Sequence, residues 1–104
     1  MEKYKIQFTA RARQDLRDTY AYIKNELKEP TVAERFYLNV EKNIETLSSM
    51  PERHGIVDDG FLREKEYRKL IIGNHIVFYS IDKLNKIVII ARILYARRDW
   101  LNLL

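Results

Sequence analysis

The sequence predicts a single α+β domain over residues 1–104, with the element order β-α-α-β-β-β and a helical hairpin packed on a mainly antiparallel sheet. Three observations support this prediction. A short alternating strand pattern opens the chain, two amphipathic helical patterns follow on either side of a proline, and three apolar runs with strand spacing lie near the end. A chain of 104 residues is long enough to bury one hydrophobic core.

The first strand passes directly into a helix. Residues 4–9 alternate apolar and polar side chains, which is the period of two expected for a half-buried strand. From about Ala10 the apolar residues recur every three or four positions, which predicts an amphipathic helix. The apolar positions of this helix are Leu16, Tyr20, Ile23 and Leu27.

The second helix begins at the interruption Lys28-Glu29-Pro30-Thr31. Proline disrupts a helix interior but suits the first turn of a new helix. The second helix should end near Met50-Pro51 and form an antiparallel hairpin with the first. Its apolar stripe consists of Val32, Phe36, Val40, Ile44 and Leu47.

The second half of the chain predicts three strands, 66–72, 75–81 and 86–95, after a loop over 51–65. Gly73-Asn74 and residues 82–85 separate these strands and have the length and composition of hairpin turns, so we expect an antiparallel meander. The last residues, 97–104, fit a short helical tail.

The last two strands are apolar on both faces. In strict alternation, the final strand places Ile93 on one face with Ile87, Ile89, Ala91 and Tyr95, and places Val88, Ile90, Arg92 and Leu94 on the other. One helical layer can cover one face, and large exposed apolar patches are rare on soluble monomers. We expect the C-terminal segment or a partner to cover the second face, with a partner taking part of it.

Composition excludes several classes of protein. The chain has no cysteine, so disulfides and thiolate metal sites are impossible, and no apolar run approaches the length of a membrane span. No export signal is visible at the start, so we expect a cytoplasmic protein. His54 and His75 lie far apart in the sequence and no phosphate-binding loop or nucleophile elbow is present, so we expect no metal or cofactor.

The net charge of +4 resides in the second half of the chain. Residues 1–52 carry 9 basic and 9 acidic side chains, whereas residues 53–104 carry 10 basic and 6 acidic ones. A basic half suits a phosphate backbone or an acidic protein surface, although a bland solvated surface is the alternative.

Arg68 is the first candidate site residue, because it shares strand parity with apolar Leu70 and Ile72. A guanidinium on an apolar face needs an anion there or must extend to solvent. The alternative is an internal salt bridge to Glu64 or Glu66.

The other candidates follow the last strand. Tyr95 is either a packed rim aromatic or a phenol that contacts phosphate and transfers a proton. Arg97 and Arg98 are either solvated or paired with Asp99, or they bind phosphates beside Trp100, which could stack on a base.

Several segments, taken in order, resemble the RelE/ParE toxin superfamily over nearly the whole chain. These segments are Phe8-Thr9-Ala10-Arg11-Ala12-Arg13-Gln14-Asp15-Leu16, Tyr20-Ala21-Tyr22-Ile23, Leu47-Ser48-Ser49-Met50-Pro51, Tyr67-Arg68-Lys69-Leu70, Val77-Phe78-Tyr79 and Ile93-Leu94-Tyr95-Ala96-Arg97-Arg98-Asp99. The resemblance implies a growth-inhibiting toxin of a bacterial type II toxin–antitoxin pair. It also implies a cognate antitoxin, acidic in its binding segment, which folds on the toxin.

The superfamily divides by target, and the resemblance leaves two readings. ParE-type members poison DNA gyrase without catalysis, and the long helical hairpin resembles them. RelE-type members cleave messenger RNA on the ribosome. Arg68 matches the arginine that many of them place on the first strand of the meander, and Arg97 or Arg98 matches the one after the last strand. Tyr95 stands where many of them have a histidine. No histidine lies near the tail in the sequence, and Trp100-Leu101 stands where RelE-type toxins often have a tyrosine.

The leading expectation is a non-catalytic, ParE-like toxin whose target-binding residues are Arg92, Arg97, Arg98 and Trp100. The alternative is a ribosome-dependent mRNA endoribonuclease with Arg68, Tyr95 and Arg97 as its catalytic residues. A minor alternative is a degenerate, non-toxic binding module.

Overall fold

A computed structural model describes residues 3–57, 65–97 and 104. Its four strands form one mixed sheet in the order β1-β4-β3-β2, in which β1 runs parallel to β4 and the other neighbours are antiparallel. The strands are β1 Lys5–Phe8, β2 Arg68–Ile72, β3 His75–Asp82 and β4 Ile87–Tyr95. The predicted α+β fold with a mainly antiparallel sheet is confirmed.

Two helices form the predicted hairpin. Helix α1, Ala10–Ala21, continues as a π-helical segment, Tyr22–Glu26, and helix α2 spans Pro30–Glu45 before a 3₁₀ turn, Thr46–Ser48. The hydroxyl of Thr9 accepts the Ala12 N–H at 3.1 Å and caps α1, while Pro30 occupies the first turn of α2. A second 3₁₀ turn, Pro51–Arg53, opens the loop before β2.

The main core lies between the helices and one face of the sheet. Its buried residues are Ala12, Val40, Ile44, Leu47, Leu70, Ile72, Val77, Tyr79, Val88, Ile90 and Ile93. The apolar stripes predicted from the sequence include Leu27 and Val32 near the tip of the hairpin, but these side chains are 52% and 42% exposed. The π-helical segment at this tip has no fully buried residue, and Ile23 of the predicted stripe is only half-buried.

The second face of the sheet carries a smaller core, formed by Val57, Ile76, Phe78 and Leu94 with Tyr67 and Leu104 packed against it. The loop before β2 and the last residue of the chain therefore cover the middle of this face. Ile71, on β2, is still 62% exposed.

A β-bulge changes which face of the sheet the side chains of β4 lie on. Phe78 pairs with Arg92 but Tyr79 pairs with Ile90, so Ala91 is an extra residue in β4. Ile93 consequently joins Val88 and Ile90 in the main core, and Leu94 lies in the other core. The strict alternation expected from the sequence, which grouped Ile93 with Ile87 and Ile89, is wrong because it has no place for the inserted residue.

Helix α1 protects the edge of β4 where β1 ends. The Thr9 hydroxyl donates to the Ala91 carbonyl at 2.9 Å, and the Asp15 carboxylate accepts the Ile93 N–H at 2.9 Å. The same carboxylate accepts two bonds from the Arg92 guanidinium at 2.8 and 2.9 Å. The Arg92 and Asp15 side chains are 13% and 11% exposed, and their hydrogen bonding raises the pKa of Arg92. We call these contacts the edge lock.

No helix in the described part of the chain is long and apolar enough to cross a membrane. The predicted helical tail falls mainly on residues 98–103, which lie outside the described residues.

Replacing Asp15 with Ala should lower the free energy of unfolding by about 3–5 kcal/mol, because the carboxylate that accepts bonds from a largely buried guanidinium and from a backbone N–H is removed. Denaturant unfolding followed by circular dichroism measures this loss. The matched control is Asp18→Ala, which removes a carboxylate from the same helix that accepts an exposed bond from Gln14 and should cost less than about 0.5 kcal/mol. Equal losses in the two variants would contradict the importance of the edge lock.

Candidate functional site

Three of the sequence-predicted site residues, Arg68, Tyr95 and Arg97, belong to two clusters of side chains that are separated along β3. One, the turn cluster, consists of Arg53, His54, Arg68 and Tyr79. The other, the tail cluster, consists of Phe36, His75 and Tyr95 together with Arg97, which follows β4.

In the turn cluster, Arg68 holds the loop before β2 against the sheet. Arg68 lies opposite Tyr79 in the β2–β3 pair, and its Nη1 donates to the carbonyls of His54 at 2.6 Å and Glu52 at 3.2 Å. Arg68 shares the face of buried Leu70, as its parity predicted. Among the described residues, its hydrogen-bond acceptors are backbone carbonyls and not the carboxylate of Glu66, which was one alternative from the sequence. The other, Glu64, lies outside the described residues.

Tyr79 also holds this loop against the sheet. Its side chain is fully buried, and its hydroxyl donates to the Pro51 carbonyl at 2.6 Å. Burial raises the pKa of Tyr79 to about 12, although the charges of Arg68 and Arg53 act to lower it. The phenol therefore stays protonated at neutral pH and acts as a donor to the loop.

His54 packs its ring edge-on to Tyr79, with 6.4 Å between the ring centroids. Burial and, to a smaller extent, the charge of Arg53 lower the pKa of His54, which favours a neutral imidazole at pH 7. Arg53 is exposed and donates to the Thr46 carbonyl at 3.0 Å. The cluster thus combines two guanidinium groups with a neutral histidine.

In the tail cluster, three rings lie in a row from α2 to β4. His75 is the register partner of Tyr95, with 5.6 Å between their ring centroids, and its other neighbour is Phe36 at 4.9 Å. Burial lowers the pKa of His75. The expectation that no histidine lies near the tail holds along the sequence but fails in space, because the hairpin register aligns the start of β3 with the end of β4.

The three residues predicted to be catalytic do not converge. Arg68 pairs with Tyr79 and Tyr95 pairs with His75, so the two rows are four residues apart along β3, roughly 13 Å at the usual rise per residue. Tyr95 is 40% exposed at the rim, and Arg97 is exposed two residues further on. Arg68 therefore cannot act on a group bound between Tyr95 and Arg97.

The structure describes only two of the four residues predicted to bind a target, Arg92 and Arg97. The guanidinium of Arg92 is engaged by Asp15 in the edge lock, so it already has a role within the fold. Arg97 is exposed two residues after the end of β4, and the Ala96 N–H between them donates to the Asn74 carbonyl at 2.7 Å, which holds the chain beside the Gly73-Asn74 turn. Arg98 and Trp100 lie outside the described residues.

Sequence reasoning assigned no role to Arg53, His54 and His75. The Gly73-Asn74 turn was a signal that could have identified His75. It places His75 at the start of β3, and the next hairpin then brings the end of β4 beside the start of β3. Arg53 and His54 reach the sheet through an irregular loop, for which no sequence period exists. Within residues 3–57, 65–97 and 104, no group of three or more His, Asp or Glu side chains is arranged to hold a metal ion.

The sequence matches one family model over most of its length. A family model described as the ParE toxin of the type II toxin–antitoxin system, parDE, matches residues 6–100. The chain belongs to the ParE toxin family. It is therefore a toxin of the type II toxin–antitoxin class within the RelE/ParE superfamily, as its sequence resemblance predicted. A search of curated proteins gave no match.

Solved structures of this class share the fold. The chromosomal ParDE system from P. aeruginosa aligns with a TM-score of 0.75 at 15% identity, covering 93% of this chain and 100% of that one. The RelBE2 toxin–antitoxin complex from Mycobacterium tuberculosis aligns with a TM-score of 0.63 at 22% identity, covering 89% and 98%. The archaeal RelE–RelB complex from Pyrococcus horikoshii OT3 aligns with a TM-score of 0.53 at 15% identity, covering 92% and 98%.

Replacing Tyr79 with Phe should destabilise the protein by roughly 1–3 kcal/mol, because the buried Pro51 carbonyl loses its donor. Thermal or denaturant unfolding gives this value. The control, Tyr95→Phe, removes a hydroxyl from a 40% exposed side chain and should change stability by less than about 0.5 kcal/mol. A large effect of the control with none at Tyr79 would contradict the assignment of Tyr79 as the loop anchor.

The raised pKa of Tyr79 also predicts a loss of stability in alkali. The folded-state pKa of about 12 lies above the unfolded value of 10.0, so the protonated phenol stabilises the fold fully below pH 10, and this contribution is lost as the pH rises through 12. Unfolding midpoints measured from pH 9 to 12 should fall less steeply in Tyr79→Phe than in the wild type. Parallel curves would show that another group is responsible.

Proposed function

We propose that this toxin binds DNA gyrase and inhibits growth without catalysing a reaction, through the rim of the sheet where β4 ends and the basic tail begins. The observation that carries the proposal is the separation of Arg68 from Tyr95 and Arg97. A phosphoryl-transfer site needs its charged groups within hydrogen-bond reach of one reacting centre. Roughly 13 Å along the strands between the two rows is too far for that.

The hydrogen bonding of Arg68 supports the same proposal. Its Nη1 donates to two backbone carbonyls of the loop, and such bonds would have to break or be shared before the group could stabilise a phosphorane. Removal of this guanidinium is therefore expected to loosen the loop rather than to remove a catalytic group. The match to a ParE family model points in the same direction.

The rim is suited to binding a large partner. The edge lock and the Ala96–Asn74 hydrogen bond fix the end of β4, so Tyr95 and Arg97 are presented from a rigid strand. A partly exposed aromatic ring beside an exposed guanidinium is the kind of pair that anchors protein interfaces. Arg98 and Trp100 extend this chemistry in the sequence.

We also propose that a cognate antitoxin neutralises the toxin. The solved structures of similar fold include complexes of toxins with antitoxins. The toxin's own basic half favours a partner with an acidic binding segment. DNA gyrase, the proposed target, works in the cytoplasm, and we propose the same location for the toxin.

A ribosome-dependent mRNA endoribonuclease is the second candidate, and His75 is the observation that favours it. Its imidazole is kept uncharged by burial and lies beside the ring of Tyr95, close to where Arg97 follows. A neutral imidazole can accept the proton of a 2′-hydroxyl, and an arginine can stabilise the charge that develops on phosphorus. This set would replace the one predicted from sequence, with His75 in place of Arg68.

Controlled expression in a bacterial host, with pulse labelling of DNA, RNA and protein in one culture, separates the candidates. On the gyrase proposal, DNA synthesis should fall first, with filamentation and DNA damage. Immediate arrest of protein synthesis with continuing DNA synthesis would support the endoribonuclease instead. Unaffected growth at high expression would point to the non-toxic binding module.

The two targets also predict different variants. The double substitution Arg97→Ala and Arg98→Ala should weaken gyrase inhibition by purified toxin roughly tenfold or more, since truncating an interfacial anchor often costs more than ~1.4 kcal/mol. Tyr95→Phe and His75→Gln should retain activity, because neither a proton donor nor a base is needed. Arg35→Ala, which removes an exposed arginine from α2, is the matched control and should leave inhibition unchanged. Loss of toxicity in Tyr95→Phe or His75→Gln, with the fold intact, would overturn the gyrase proposal.

A further inference from the structure

Arg53 forms part of the walls of two surface pockets. One, of about 370 Å³, lies between β2 and the loop before it, and Lys69 is its second cationic residue. The other, of about 410 Å³, lies at the end of α2 and is lined by Lys42 and Glu45 among others. Because Arg53 belongs to both pockets, Lys42, Arg53 and Lys69 form one continuous basic surface, which we call the basic strip.

The guanidinium of Arg53 is held in place without being neutralised. Its Nη2 donates to the Thr46 carbonyl at 3.0 Å, and a carbonyl orients the group while its full charge remains. The 3₁₀ turn that carries it is fixed by the bond of 2.6 Å from the Tyr79 hydroxyl to the Pro51 carbonyl. Burial and then the charge of Arg53 lower the pKa of His54, so the positive field of this group reaches its neighbours. The strip therefore contains a positioned cation that is suited to an anion.

Little negative charge opposes the basic strip. Among the described residues that line the two pockets, Glu45 is the one acidic side chain. Glu52, the chain neighbour of Arg53, has its carboxylate 3.8 Å from the ammonium of Lys83, which partly offsets its charge. All three cations of the strip are exposed. A surface of this kind attracts a partner with dense negative charge.

The remaining wall residues favour a nucleic-acid backbone over an acidic protein. The pocket beside Lys42 is also lined by three hydroxyl side chains, and among the described residues no aromatic or aliphatic side chain lines it. Lysine, arginine and hydroxyl side chains are typical phosphate contacts, whereas protein interfaces depend on buried aromatic or aliphatic anchors. The two exposed apolar residues of the other pocket, Ile56 and Ile71, can lie against the sugar carbons of the same backbone.

We propose that the basic strip binds the sugar–phosphate backbone of duplex DNA. The proposal rests on the proposed function in one respect, namely that the toxin meets this DNA in its complex with gyrase. Neither pocket includes Tyr95 or Arg97, so the rim contacts the gyrase protein while the strip contacts the DNA. Backbone contacts carry no sequence information, and binding should therefore not depend on the sequence of the duplex.

The first experiment measures binding of the purified toxin to a short fluorescent DNA duplex of mixed sequence. Three phosphate contacts predict that the affinity falls roughly 40-fold between about 50 and 200 mM salt. Lys42→Gln and Lys69→Gln should each weaken binding and reduce the slope of log affinity against log salt by about one. The matched controls, Arg35→Gln on α2 and Lys5→Gln on β1, make the same charge change at exposed positions outside the strip and should leave the slope unchanged. Equal unfolding midpoints in all four variants exclude a folding defect.

The second experiment measures binding of the toxin to gyrase with and without duplex DNA. The double substitution Lys42→Gln and Lys69→Gln should reduce the affinity for the gyrase–DNA complex at least about tenfold, because two phosphate contacts are lost. The affinity for gyrase without DNA should not change. Arg97→Ala, at the rim, should weaken binding in both cases. This contrast separates the DNA contact from the gyrase contact.

Other results would overturn the proposal. If Arg35→Gln and Lys5→Gln reduce DNA binding as much as the strip variants do, the attraction comes from net charge alone. If the toxin binds single-stranded RNA and not duplex DNA, the strip belongs to the endoribonuclease function. If the strip variants weaken binding to gyrase without DNA, the strip is a protein-binding surface.

The proposed function can fail separately. A toxin that binds duplex DNA through the strip but does not bind gyrase would support the strip and overturn the gyrase proposal. A toxin that binds gyrase but shows no affinity for duplex DNA at low salt would do the reverse.

Discussion

The carboxylate of Asp15 determines how the end of the sheet near Tyr95 is built. β1 is too short to pair with all of β4, so β4 continues past Phe8 with an open edge. Asp15 closes that edge by accepting the Ile93 N–H and both bonds from Arg92, with little exposure to water. An isolated buried charge of either sign would be costly, so helix and strand remain bound together. The position of Tyr95 at the end of β4 follows from this contact.

The bulge at Ala91 acts together with the edge lock. It inserts one residue into β4, so that Ile93 packs under the helices while Leu94 packs on the opposite face. Without the bulge, the apolar residues before and after position 91 could not both pack in the main core. A bulge bends the strand and increases its local twist. It therefore also sets the direction in which β4 runs to Tyr95 at the rim.

Two basic clusters on one small domain have different physical characters. The guanidinium of Arg68 and the hydroxyl of Tyr79 are bound to carbonyls of the loop, so the turn cluster is held in place by its own chain. At the other end, Tyr95 and Arg97 are exposed at the rim of the sheet.

Local patterns in the sequence determined the elements of this protein: the period of β1, the proline between the helices and the turn at Gly73-Asn74 each act over a few residues. They also predicted that Arg68 shares the face of Leu70 and that Arg97 follows the last strand. Only the tertiary structure decided what these residues meet, because contacts between Arg68 and the loop at His54, between Asp15 and Arg92, and between His75 and Tyr95 join distant segments. A bulge and a hairpin register fix those contacts, and neither leaves a period in the sequence.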